Sequence, residues 1–127
     1  MPTMVDIARV LPSAAACIRI YKNEIIISAP AAKLLGIPDN PGCRLLIRQD
    51  ADEAQRGRDR VYIGRSNTSA GFPVSRKGCR YRLISAALIR RLITHLEGYG
   101  TYRIDEEVPV AKGGITYYEI FFKKYEQ

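Results

Sequence analysis

The chain carries one histidine, His95, and so a single imidazole that could serve as a catalytic acid or base. A nucleophile–histidine or histidine–carboxylate site needs partners within hydrogen-bond reach. No such partner stands at a local spacing from His95, which follows Leu92 by three residues and reads as the flank of an amphipathic helix. Carboxylates gather in two places, Asp50-Asp52-Glu53 and Asp105-Glu106-Glu107. Such clusters can hold Mg²⁺ or Ca²⁺, but the first lacks the glycine and the closing glutamate that define a calcium loop. Both read as solvated loop charge, with Arg56 and Arg58 placed to pair with the first. Cys17, Cys43 and Cys79 are odd in number, far apart and without CxxC spacing, which argues against a disulfide framework or a zinc site. They are expected to be buried, reduced thiols acting as small apolar residues. No glycine pattern forms a phosphate loop between a strand and a helix. The residues thus predict no catalytic site, no metal site and no cofactor, and a protein that is not an enzyme.

The charge is more informative. The net charge is +7, and between Arg56 and Arg91 ten basic residues, nine of them arginine, stand against one acid, Asp59. That segment carries +9, which leaves the remainder at −2. Arginine forks bidentately onto phosphate and stacks on bases, so this composition points to nucleic acid. Arg58, Arg60, Arg65, Arg76, Lys77, Arg80, Arg82, Arg90 and Arg91 are the candidate phosphate contacts. Tyr62, Tyr81 and Tyr21 neighbour arginines in strand-like stretches, where aromatics can stack unpaired bases. Regular alternation, however, sets Tyr81 opposite Arg80 and Arg82, which favours packing in the core.

These residues must be positioned by elements that the patterning outlines. Ile18 and Ile20 alternate with Arg19 and Tyr21 as a half-buried strand, and a turn at Lys22-Asn23-Glu24 leads to Ile25-Ile26-Ile27. Ser28 is a candidate N-cap for a short helix over about 29–35, with Pro30 in its first turn and Gly36 at its close. Residues 43–48 read as a strand with Leu45 and Ile47 inward, and residues 49–59 as a polar surface loop. Val61-Tyr62-Ile63 and Phe72-Pro73-Val74 suggest a hairpin with a long tip, Pro73 marking an edge. After a turn at Lys77-Gly78, the stretch from Cys79 to Leu83 puts Arg80 and Arg82 on one face and Cys79, Tyr81 and Leu83 on the other. The main helix is predicted over about 85–97, capped by Ser85, with Leu88, Ile89, Leu92, Ile93 and Leu96 as its apolar stripe. Strands over 101–104 and 115–123, the second preceded by a Gly113-Gly114 turn, close the pattern.

Residues Ile18 to Arg48 carry a further signal. Ile25-Ile26-Ile27-Ser28, then Ala31-Ala32-Lys33-Leu34-Leu35-Gly36-Ile37, then Asn40-Pro41-Gly42-Cys43-Arg44-Leu45-Leu46-Ile47 resemble the swapped-hairpin domains of the AbrB/MazE type. The resemblance implies an intertwined dimer that binds DNA through basic residues near the first hairpin, here Arg19, Lys22 and Lys33. Ser28 stands where that family usually has proline, and Cys43 where it usually has an acid. The match covers about a quarter of the chain, and the long second half has no counterpart in the minimal family domain.

With 127 residues, 46% apolar and 26% charged, the chain has the composition of one globular domain rather than of a disordered segment. No apolar run approaches the ~18 residues of a membrane span, and Asp6, Arg9 and Pro12 interrupt anything like a signal peptide. The expectation is an α+β fold. Residues 17–127 form a single domain of antiparallel hairpins in one or two small sheets, with residues 1–16 as an arm or a short strand. The function expected is that of a cytoplasmic, non-enzymatic, nucleic-acid-binding accessory or regulatory protein, DNA ahead of RNA, with homodimerisation possible and no membrane partner. The alternative is a protein-interaction or structural module with an acidic partner. Geometry separates the two, because nucleic acid requires the cations to converge on one face.

Overall fold

The computed structural model describes residues 15–51 and 59–121. In chain order the elements are β1 Cys17–Ile20, β2 Ile25–Ile27, α1 Ala29–Leu35, β3 Arg44–Ala51, β4 Asp59–Arg65, β5 Phe72–Pro73, β6 Ser75–Lys77, β7 Arg80–Leu83, α2 Ala86–His95, β8 Gly100–Arg103, β9 Val110–Lys112 and β10 Ile115–Ile120. They form an α+β fold with two antiparallel five-stranded sheets, ordered β6-β7-β2-β1-β8 and β5-β3-β4-β10-β9. Among the described residues, no helix is long and apolar enough to cross a membrane.

The first sheet forms because its strands alternate strictly. Ile18, Ile20, Ile25, Ile27, Tyr81, Leu83 and Tyr102 are buried on one face, while the residues between them turn outward. The inner face shares one hydrophobic cluster with Leu45, Val61, Ile63 and Ile120 of the second sheet, with Ala31, Ala32 and Leu35 of α1, and with Leu88, Ile89 and Leu92 of α2. Burial raises the pKa of the Tyr102 phenol, whose hydroxyl donates to the Gly98 carbonyl at 2.7 Å. The two sheets meet at a seam. Ile104 bridges to Ile120, and the Phe121 amide donates to the Arg103 carbonyl at 2.9 Å.

Both helices start at the predicted serines. Ser85 Oγ accepts from the Leu88 amide at 3.2 Å, and α2 buries Leu88, Ile89 and Leu92. Ser28 Oγ accepts from the Ala31 amide at 3.2 Å and also from the Cys17 amide at 3.0 Å, so one hydroxyl both caps α1 and ties down the start of β1. Gly36, at φ 71°, closes α1 with its amide bonded to the Lys33 carbonyl, while the Ile37 amide reaches back to Ala32. Ser28→Ala removes both contacts, and is expected to lower unfolding stability by about 1–2 kcal/mol in urea titrations followed by circular dichroism. A loss within about 0.3 kcal/mol would show the hydroxyl to be dispensable.

Four local expectations are corrected by the pairing. Residues 49–59 are not all loop, since β3 runs to Ala51 and β4 begins at Asp59, with Gln49 opposite Val61 and Asp50 opposite Arg60. Long-range ladder bonding overrides the polar composition there. Val61–Ile63 and Phe72–Val74 are not hairpin partners. β4 lies between β3 and β10, and β5 pairs with the other side of β3, an edge that tolerates Pro73. The exposed strand β9, which pairs with β10 across the Gly113-Gly114 turn, was not anticipated. Finally, Cys79 is exposed in the turn between β6 and β7, Cys17 is half-buried on the outward side of β1, and Cys43, just before β3, is half-buried against the edge of the core; all three are free thiols. The expected arm at 1–16 falls outside the described residues except for Ala15 and Ala16.

Candidate functional site

Strand register decides where the charges go. On the outer face of the first sheet, Arg82 of β7 lies opposite both Ser75 of β6 and Ile26 of β2, Ile26 lies opposite Arg19 of β1, and Arg19 lies opposite Thr101 of β8. One step along the strands, Lys77 pairs with Arg80, and Cys17 pairs with Arg103. Five cations, Arg19, Lys77, Arg80, Arg82 and Arg103, therefore share this face. Glu24 is the acid beside them, and its Oε1 accepts from Arg82 Nη1 at 3.1 Å. With both partners part-exposed, that ion pair adds little stability, and it orients the Arg82 guanidinium rather than neutralising the face.

Arg19 is held in place from two sides. Its Nε donates to Thr101 Oγ1 at 2.8 Å and its Nη1 to Tyr21 Oη at 3.2 Å. The hydrogen bond to Tyr21 is the main influence that raises the Arg19 pKa, so the group is a fixed cation at any physiological pH. Tyr21 thus stands at the end of the same face. Continuing the Ile20–Gly100 pairing by one residue places Tyr99 beside it. Tyr21 is 41% exposed and Tyr99 49% exposed, whereas Tyr81, Tyr102 and Tyr117 are buried.

The nine candidate contacts separate into groups. Lys77, Arg80 and Arg82 come together on the outer face. Arg76 sits on the same strand but turns to the other side, where its guanidinium lies 5.6 Å from the Tyr81 ring centroid and donates to the Asp39 carbonyl. Arg60 is on the second sheet, 3.6 Å from Glu119, and Arg65 lies against Gly36. Arg90 and Arg91 are exposed on α2, away from the face. Arg58 lies outside the described residues. The Arg56–Arg91 run leaves out Arg19, which only the AbrB/MazE resemblance nominated, and Arg103, which nothing in the sequence reading nominated; both belong to the face. Their signal was alternation: each sits between two inward residues, Ile18 and Ile20 for Arg19, Tyr102 and Ile104 for Arg103.

His95 borders a solvent-open groove of about 460 Å³ between α2 and the inner face of the second sheet, together with Arg91, Leu92, Gln49, Ile47, Val61 and Phe72. Arg48 also borders it, but its guanidinium lies 5.7 Å from the Tyr117 ring centroid on the other side of that sheet. Among the described residues, the lining supplies no carboxylate and no nucleophile beside His95. Asp105 Oδ1 accepts from the Glu107 amide at 3.0 Å, which makes the second acidic cluster a local turn. Among the described residues, no group of three histidine, cysteine or acidic side chains converges to hold a metal ion. No protein-family model matches the chain, and comparison with curated proteins and with solved structures likewise returns no match.

Proposed function

We propose that this chain is a non-enzymatic nucleic-acid-binding protein, acting in an accessory or regulatory role through the outer face of its first sheet. One observation carries the reading: cations from four strands, up to 84 positions apart in sequence between Arg19 and Arg103, converge on one solvent-facing surface, where Glu24 is the neighbouring acid among the described residues. A surface whose sign had merely drifted positive would scatter its charges, as Arg60, Arg65, Arg90 and Arg91 are scattered. Phosphate contacts from such a face give affinity and orientation without specifying sequence. The resemblance of residues 18–48 to AbrB/MazE-type domains supports DNA ahead of RNA, and a homodimer would present two such faces. Free thiols fit a reducing, cytoplasmic location.

The test is fluorescence polarisation with labelled duplex DNA, single-stranded DNA and RNA at ~50 and ~200 mM salt. Neutralising about four phosphates makes affinity fall roughly a hundredfold over that interval. The Arg90→Glu/Arg91→Glu variant, which changes net charge by as much as any double reversal on the face, is expected to stay within about threefold of the parent, since these residues lie elsewhere. Absence of binding to every probe at ~50 mM salt would overturn the reading and leave an acidic protein as the partner to seek.

A further inference from the structure

We propose that the outer face of the first sheet takes single-stranded rather than duplex nucleic acid, with Tyr21 and Tyr99 stacking unpaired bases while Arg19, Arg80, Arg82 and Arg103 hold the sugar–phosphate backbone. This inference rests on the reading of the face as a nucleic-acid surface and narrows it.

The first argument is shape. A duplex is read by an α-helix or a two-stranded ribbon entering a major groove about 12 Å wide. Here the cations lie on four strands of a sheet five strands wide. At ~4.8 Å between neighbours those strands span roughly 19 Å, too broad to enter that groove. Both helices pack into the core from the inner side, so neither stands out from this face as a reading element. A single strand needs no groove, because it lies across an open sheet with its bases turned down.

The second argument is the placement of aromatic surface. The rings of Tyr21 and Tyr99 take no part in the hydrophobic cluster and are among the most exposed large apolar side chains of the described chain. Keeping two phenol rings in water at adjacent strand ends has no use in packing. It suits a stacking platform, where aromatic faces accept any base. The hydrogen bond from Arg19 to Tyr21 Oη ties one ring to a fixed cation, so base and phosphate contacts are set at a constant spacing. Ile84, 60% exposed, follows Leu83 at the same end of the sheet, and Ile26 lies half-buried between Arg19 and Arg82. Apolar surface thus alternates with charge across the face, as base and backbone alternate in an unpaired strand. A duplex, whose bases are stacked inside, offers nothing to these side chains.

The experiment compares an unstructured labelled oligonucleotide of about 12 nucleotides with a duplex of the same length, against the parent chain and its Tyr21→Ala, Tyr99→Ala and Tyr21→Phe variants. The single strand is expected to bind at least about tenfold more tightly than the duplex at ~150 mM salt. Each alanine variant should weaken single-strand binding roughly tenfold and leave duplex binding unchanged, while Tyr21→Phe, which keeps the ring, should retain most of the affinity. The rings lie outside the core, so circular dichroism should match the parent for all three. Duplex binding equal to or tighter than single-strand binding, or alanine variants that alter neither or both equally, would overturn this inference while the face remained a nucleic-acid surface. Failure of every probe to bind at ~50 mM salt would instead remove the reading on which it rests.

Discussion

Arg80→Glu combined with Arg82→Glu is expected to weaken nucleic-acid binding by about a hundredfold or more at ~100 mM salt. A hydrogen-bonded contact to a charged group contributes roughly 1.5–3 kcal/mol, and two such contacts are lost together. The reversal also puts two carboxylates where phosphates must approach, which adds repulsion to the loss of attraction. The dependence of log K on log salt should flatten by about 1.5–2 units, because two fewer counterions are displaced. Both side chains turn away from the core on β7, so the fold is expected to survive. Arg80→Gln/Arg82→Gln, which adds no carboxylate near Glu24, should show the same direction with a smaller loss. Binding isotherms at several salt concentrations check both variants. An affinity unchanged in the glutamate variant would move the interface off this sheet.

The second large effect falls on the fold. Gly71 precedes the edge strand β5 with φ 107°, a conformation that side chains rarely adopt. A Cβ built there would lie 2.5 Å from the Leu45 carbonyl oxygen and 3.0 Å from its carbon. Neither atom can retreat, because Leu45 is wholly buried at the centre of the core and its strand is paired on both sides, with Phe72 and with Arg65. The Gly71 carbonyl also accepts from Arg44 Nη1 at 2.9 Å, so the loop is pinned to the strand it crosses. Backbone strain and overpacking each cost roughly 1–3 kcal/mol, so Gly71→Ala should lose about 3 kcal/mol or more. For a domain of this size, that corresponds to a Tm lower by roughly 10 °C. Gly42→Ala is the control: its Cβ would meet nothing within 4 Å and its φ is not positive, so the expected change is within about 0.5 kcal/mol. Thermal melts that placed the two variants together would refute the account of Gly71.

Both predictions rest on long-range register, and there the sequence and the structure part company. Local grammar was readable wherever one residue and its near neighbours settle the outcome. Ser28 and Ser85 cap their helices because a short hydroxyl reaches the third amide ahead. Arg80 and Arg82 share a face because pleated backbone alternates. The partner of β4 was not readable, since Val61 to Ile63 would fit several neighbours and only the assembled core selects β3 and β10. Tyr117 shows the same limit. It is buried outside the main hydrophobic cluster, on the far side of the second sheet, with Arg48 over its ring and Gly64 beneath it. A Cβ on Gly64 would come within 2.9 Å of that ring, so a missing side chain on one strand makes the space for an aromatic on another. Arg19 and Arg103 joined the basic face for an equivalent reason. Each was visibly outward, but nothing near either residue told that they would be neighbours of Arg80 and Arg82.

The seam and the strand order of the first sheet also have a consequence in time. Arg19 and Thr101 are bonded across a sequence separation of 82, and β7 reaches β2 across more than 50. Folds built from such distant pairings close slowly, in milliseconds to seconds, because loop entropy is spent before any contact repays it. On a ribosome the wait is longer, since synthesis at about 5–20 residues per second must deliver β8 before the sheet has its outer strand. A nascent chain that has emerged only through α2 holds Arg19, Lys77, Arg80 and Arg82 but lacks the strand that braces Arg19 and carries Arg103. The five-cation face is therefore complete only once β8, which carries Arg103 and braces Arg19, has been made and paired.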